Sequence, residues 1–102
     1  MSALNITKEI FQKEVLESKE PVLIDFWASW CGPCRMLSPV VDEIATSVDG
    51  VKVGKINIDD QEELARMFHI MSIPTLLVMK EGKEIKRSVG VIPKSAVLEM
   101  IH

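Results

Sequence analysis

The stretch Val22-Leu23-Ile24-Asp25-Phe26-Trp27-Ala28-Ser29-Trp30-Cys31-Gly32-Pro33-Cys34 decides how the rest of the chain is read. Val22 to Ala28 is almost entirely apolar, the composition of a central strand covered on both faces. Asp25 interrupts it. An acid among such neighbours is costly to ionise, so its pKa is raised and it can exchange a proton near neutrality. The strand runs into two cysteines separated by Gly32 and Pro33, the only cysteines in the 102 residues.

Beyond Cys34, apolar residues recur at Met36, Leu37, Val40, Val41, Ile44, Ala45 and Val48, a buried helical face that starts at Cys31 and ends at Gly50. Pro39 falls inside that helix and predicts a kink rather than a stop, because the periodicity continues past it. Val51 to Ile58 reads as a second buried strand. Asp60 with Glu63 forms a capping box for a short helix to Phe68, whose Leu64, Ala65 and Phe68 face inward. Before the opening stretch, Thr7 caps a helix to Ser18 with Phe11 and Val15 on one face. After it, Thr75 to Lys80 and Lys83 to Val89 flank the turn residues Glu81 and Gly82, a hairpin signal. Pro93 suits the first turn of a last helix that points Val97, Met100 and Ile101 at the core. The order βαβαβα and then ββα predicts an α/β fold, a central mixed sheet flanked by helices on both faces.

Composition narrows the function. A chain of 102 residues, 47% hydrophobic and 26% charged, fits one domain over residues 1–102 whose core needs no covalent staple. The net charge of −3 and the lack of a basic block argue against nucleic acid as a partner. The amino terminus has no apolar export segment, and the longest apolar runs are too short to span a membrane, so a soluble, cytoplasmic protein is expected. In that reducing compartment two close cysteines are more often catalytic or metal-binding than structural.

Three readings of the pair compete. A disulfide closing a four-residue loop removes only about 2 kcal/mol of chain entropy, a poor return for a staple. Zinc needs four ligands, and beyond the pair the chain offers only His69 and His102, at spacings that match no common finger; no metal or other bound cofactor is expected. The redox reading gains from every neighbour. Cys31 stands at a helix N-terminus, where free N–H groups and the helix dipole stabilise a thiolate, making it the nucleophile. Cys34, one turn inside and more buried, keeps its proton until it resolves a mixed disulfide. Gly32 allows a tight turn and Pro33 limits flexibility between the sulfurs.

DFWASWCGPC at Asp25 to Cys34, SIPT at Ser72 to Thr75 and SVGV at Ser88 to Val91 closely resemble the thioredoxin family, and the resemblance covers essentially the whole chain. It implies the thioredoxin fold, and a cis Pro74 lying against the dithiol with Ile73 offering its backbone to the substrate. Trp30, Ile73, Pro74, Gly90 and Val91 would line an apolar patch for an extended target segment. Asp25 would assist the buried cysteine. Lys55 matches a family lysine near that acid, the alternative being a solvated lysine at a strand edge. Trp27, His69 and the set Met67, Met71 and Met79 read as packing or structural residues, the methionines filling core or patch. Met71-Ser72 departs from the Arg-Gly of many members and Met79 from a common aromatic residue, which bears on partner preference rather than on chemistry.

The expected function is that of a protein-disulfide reductase acting on disulfide-containing target proteins as a monomer. The resemblance implies recharging by a thioredoxin reductase that draws electrons from NADPH or ferredoxin. Two rivals stand beside it. A disulfide oxidant or isomerase would favour a secreted context and a charged residue or His between the cysteines. A thioredoxin-fold binding subunit of a larger complex would use the patch alone and would not need Cys31, Cys34 and Asp25 together.

Overall fold

The computed structural model describes residues 3–102. Its elements are β1 (Leu4–Asn5), α1 (Lys8–Phe11) continued by a π-helical segment (Gln12–Leu16), β2 (Val22–Trp27), α2 (Gly32–Ser47), β3 (Lys52–Asn57), α3 (Glu62–Met67), β4 (Thr75–Lys80), β5 (Lys83–Val89) and α4 (Lys94–Met100). The five strands lie in the order β1-β3-β2-β4-β5. β2 is parallel to β3 and antiparallel to β4, β1 is parallel to β3, and β5 is antiparallel to β4. The mixed sheet of the sequence reading is therefore present. Its first strand is only two residues long and no alternation announces it.

Side-chain alternation splits the core between the two faces of the sheet. Val22, Ile24 and Phe26 of β2 pack with Phe11 and Val15 of the first helical segment and with Leu64 and Phe68 at α3. Leu23 joins Leu37, Val41 and Ile44 of α2 and Val97 of α4 on the other face. Asp25 shares the parity of Leu23 and so stands beneath α2. The α2 stripe includes Leu37, Val41 and Ile44, but Met36, assigned to that stripe by its spacing, is 69% exposed. It is the chain neighbour of Leu37, and the step of about 100° between adjacent residues turns it off the buried face.

Two helix ends differ from their sequence signals. The capping box at Asp60 and Glu63 does not form: Gln61 is the N-cap, and no side chain caps α3. Thr7 holds the N-cap position of α1 without a side-chain hydrogen bond. The carboxamide of Gln61 instead accepts the Lys8 N–H at 2.9 Å, and the Lys8 ammonium pairs with Glu63 at 2.6 Å, so one short helix start supports another across 53 residues. His69 closes α3 with φ 53°, its N–H donating to Arg66 O and that of Ile70 to Ala65 O. These two bonds form a Schellman motif with histidine where glycine is usual. At the β4–β5 turn, Glu81 and Gly82 both have positive φ, the twist that a two-residue hairpin needs.

Candidate active site

β2 delivers the chain to the cysteines. After Trp27 it turns through residues 28–30, the Cys31 N–H returning to Ala28 O at 3.2 Å, and α2 begins at Gly32 with Cys31 as its N-cap. Pro33 sits in the first turn, where its missing N–H costs nothing. Gly32 has neither a left-handed φ nor a crowded Cβ position, so the turn does not require glycine as its sequence suggested.

Cys31 and Cys34 are joined in a disulfide, their Cα atoms 5.3 Å apart. The greater burial expected of Cys34 is slight: the two residues are 4% and 2% exposed. What separates them is hydrogen bonding. Cys31 Sγ accepts the Cys34 N–H at 3.2 Å, which places a helix N-terminal donor on that sulfur. The Ile73 carbonyl oxygen lies 3.8 Å from the same sulfur. The Ile73–Pro74 peptide is cis and Pro74 is buried; its carbonyl accepts the Gly90 N–H at 2.8 Å, and Gly90 has φ 96°. The IPT and SVGV motifs thus meet beside the dithiol.

On the face of β2 that α2 covers, Asp25 is fully buried and neither carboxylate oxygen has a hydrogen-bond partner among the described residues. Burial drives its pKa from 3.8 to about 7; the Lys55 charge offsets part of that rise and the Asp42 charge adds to it. Lys55 is Asp25's register partner on β3, a strand paired on both sides, which rules out the edge-strand alternative. Its ammonium contacts Asp42 Oδ1 at 3.1 Å and Ser38 Oγ at 2.5 Å. Sequence reasoning missed Ser38 and Asp42. Their signal was spacing: Cys34, Ser38 and Asp42 are four residues apart on α2 and share one face. A cavity of about 290 Å³ opens beside Cys34, with Trp27, Arg35, Ser38 and Lys55 in its wall.

A second concavity of about 320 Å³ is lined by Trp30, Ile58, Ile70, Met71, Ser72 and Ile73, the last being the residue whose carbonyl lies near Cys31 Sγ. Trp30 is 65% exposed and its indole N–H donates to Asp59 Oδ2 at 2.9 Å. Of the residues assigned to the patch, Trp30 and Ile73 line this groove. Pro74 and Gly90 sit behind Ile73 through their own hydrogen bond, and Val91 is exposed but outside the lining. Met71 and Ser72, whose departure from the family pattern bears on partner preference, line the groove too, whereas Ile58 and Ile70 had no signal in the sequence as groove residues.

The Thioredoxin family model matches residues 2–102. The chain belongs to the thioredoxin family. It is similar to Thioredoxin 1 of Nostoc sp., 46% identical over an alignment of 102 residues that covers 99% of this chain and 95% of the relative. Thioredoxin 1 of Synechococcus elongatus is 51% identical over 96 residues, 93% of this chain and 90% of its own. Thioredoxin of Pyropia yezoensis is 47% identical over 103 residues, covering 100% and 96%. With its cysteines closed across two residues, this member of the family is a thiol–disulfide oxidoreductase, a protein-disulfide reductase working by dithiol–disulfide exchange. Family membership implies disulfide-containing targets and a thioredoxin reductase in general terms. Among the described residues no helix is long and apolar enough to cross a membrane, and no group of three or more His, Cys, Asp or Glu is placed to hold a metal ion.

Proposed function

We propose that Cys31 is the attacking thiol, Cys34 the resolving thiol and Asp25 the group that takes the resolving thiol's proton. The Cys34 N–H on Cys31 Sγ carries this reading, because a donor at a helix N-terminus favours negative charge on that sulfur once the disulfide is opened. Cys31 attacks one sulfur of a target disulfide, forming a mixed disulfide and releasing the other target sulfur as a thiolate. Cys34 gives its proton to Asp25 and attacks Cys31 Sγ. That step reforms the internal disulfide and expels the second target sulfur. The target gains two electrons, and the two cysteines lose them.

Gly32 and Pro33 shape the closure, and Lys55 supports Asp25 through its charge. Trp30 and Ile73 seat the target segment in the groove, with Pro74, Gly90 and Val91 behind and beside them. Residues 1–102 act as one domain and as a monomer in the cytoplasm, recharged by a thioredoxin reductase. The test is catalysis of insulin disulfide reduction by dithiothreitol: the protein should accelerate it and Cys31→Ser should not. Equal rates for the two would end the assignment of Cys31.

A further inference from the structure

Met71 is 94% exposed, the most open large apolar side chain among the described residues, and it stands in the wall of the groove beside Trp30 and Ile73. Among the described residues no charged side chain lines that groove, the Asp59 carboxylate meeting it only through the Trp30 indole N–H. Burial protects a thioether from oxidants, as it does Met79 at 3% exposure; Met71 has no such protection. Met36 and Met67 are also exposed, at 69% and 54%, but neither lines the groove. With Cys31 and Cys34 closed, no free thiol remains to compete for an oxidant.

We propose that Met71 is a site of reversible modification by hydrogen peroxide, and that its sulfoxide changes which disulfides the groove accepts. The proposal rests on the groove being the target's seat. The Met71 sulfur attacks one peroxide oxygen, the O–O bond breaks, and a sulfur–oxygen bond forms. Sulfur loses two electrons, and the second peroxide oxygen leaves as water carrying both protons. The sulfoxide is a polar acceptor on a wall whose other side chains, Ser72 apart, are apolar or aromatic. A target segment with large apolar residues beside its cysteine would cover that oxygen without giving it a hydrogen bond, and such burial is unfavourable. Targets carrying a lysine, arginine or hydroxyl there keep a partner for it. A methionine sulfoxide reductase restores the original groove.

The disulfide form is treated with hydrogen peroxide, sulfoxides are located by mass spectrometry, and reduction by dithiothreitol is then followed on two substrates. One is a peptide disulfide with leucines flanking its cysteines; the other is the small disulfide 5,5′-dithiobis(2-nitrobenzoate). Oxidation should raise KM for the peptide about fivefold to a hundredfold, the effect of one unpaired acceptor in an apolar contact, and leave the small disulfide unchanged. Met71→Leu, compared with its own untreated form, should lose the effect, whereas Met36→Leu and Met67→Leu should retain it. An equal rise in peroxide-treated Met71→Leu overturns the proposal, as does an unchanged KM when Met71 is fully converted. Trp30→Ala separates the two readings. If it raises the peptide's KM and oxidation does not, only the Met71 proposal fails; if Trp30→Ala leaves KM unchanged, the groove is not the target's seat and both fail.

Discussion

Two sulfurs of nearly equal burial differ in one respect, that one accepts a backbone N–H and the other does not, and the proposed division of labour rests on that difference. Cys31 Sγ accepts the donor of Cys34, while Cys34 lies inside the first turn of α2, where its sulfur has no such bond among the described residues. Replacing the second cysteine should therefore leave the attack intact and remove the step that ends it. Cys34→Ser should accumulate covalent adducts with disulfide-containing proteins, and peptide mapping should find them on Cys31. Adducts absent after mixing with an oxidised target, or found elsewhere, would refute the division of labour. The substitution also spares the Cys34 N–H, so loss of the Cys31–N–H bond cannot account for the result.

Among the elements, those with strong periodicity were legible and those held by distant partners were not. The apolar run of β2 and the buried stripe of α2 predict their own places, and the CGPC turn between them is where the site lies. The order βαβαβα has a strand ahead of the first helix, but no residues could be assigned to β1 because two residues make no alternation. Its position depends instead on Gly54 of β3, where a Cβ would collide with Ile6 Cδ1 and crowd Leu4 O. Gly54→Ala should push that seam apart and lower stability by about 1 to 3 kcal/mol, the usual cost of overpacking. Urea unfolding would register it, along with faster hydrogen exchange at the Ile6 N–H, which donates to Lys55 O at 2.8 Å. An unchanged midpoint would mean that β1 shifts freely. The end of α3 was illegible for a different reason: histidine gives no C-cap signal, yet His69 adopts the left-handed conformation with both Schellman bonds formed. His69→Gly should relieve that conformation and raise stability by about 0.5 to 1 kcal/mol in the same unfolding assay, the larger backbone entropy of glycine offsetting part of the gain. A lower midpoint would show that the imidazole makes a contribution larger than its backbone cost.

At the scale of the whole molecule, the sheet order puts β2 at the centre, and that is where the one buried, unpartnered acid among the described residues lies. Ser38 and Asp42 hold the nearest ammonium, that of Lys55, so the stabilising charge available to Asp25 is shared. Its pKa of about 7 in the folded chain against 3.8 unfolded ties global stability to pH. Below about pH 4 the carboxyl is neutral in both states and costs nothing. Between 4 and 7 the unfolded chain releases the proton while the folded chain keeps it, so stability falls as pH rises. Above pH 7 the full penalty is present, on the order of 4 kcal/mol at about 1.4 kcal/mol for each pKa unit. Asp25→Ala should therefore raise the urea midpoint at pH 8, with the gain shrinking toward pH 4, where the variant keeps only the cost of a small cavity. In the proposed mechanism the same change also removes the acceptor for the Cys34 proton. Release of the mixed disulfide should slow, and the inflection near pH 7 in the rate profile should disappear, so that stability and turnover move in opposite directions. A variant less stable than the parent at pH 8, with its rate profile unaltered, would make Asp25 a structural acid and leave the resolving thiol to lose its proton to solvent.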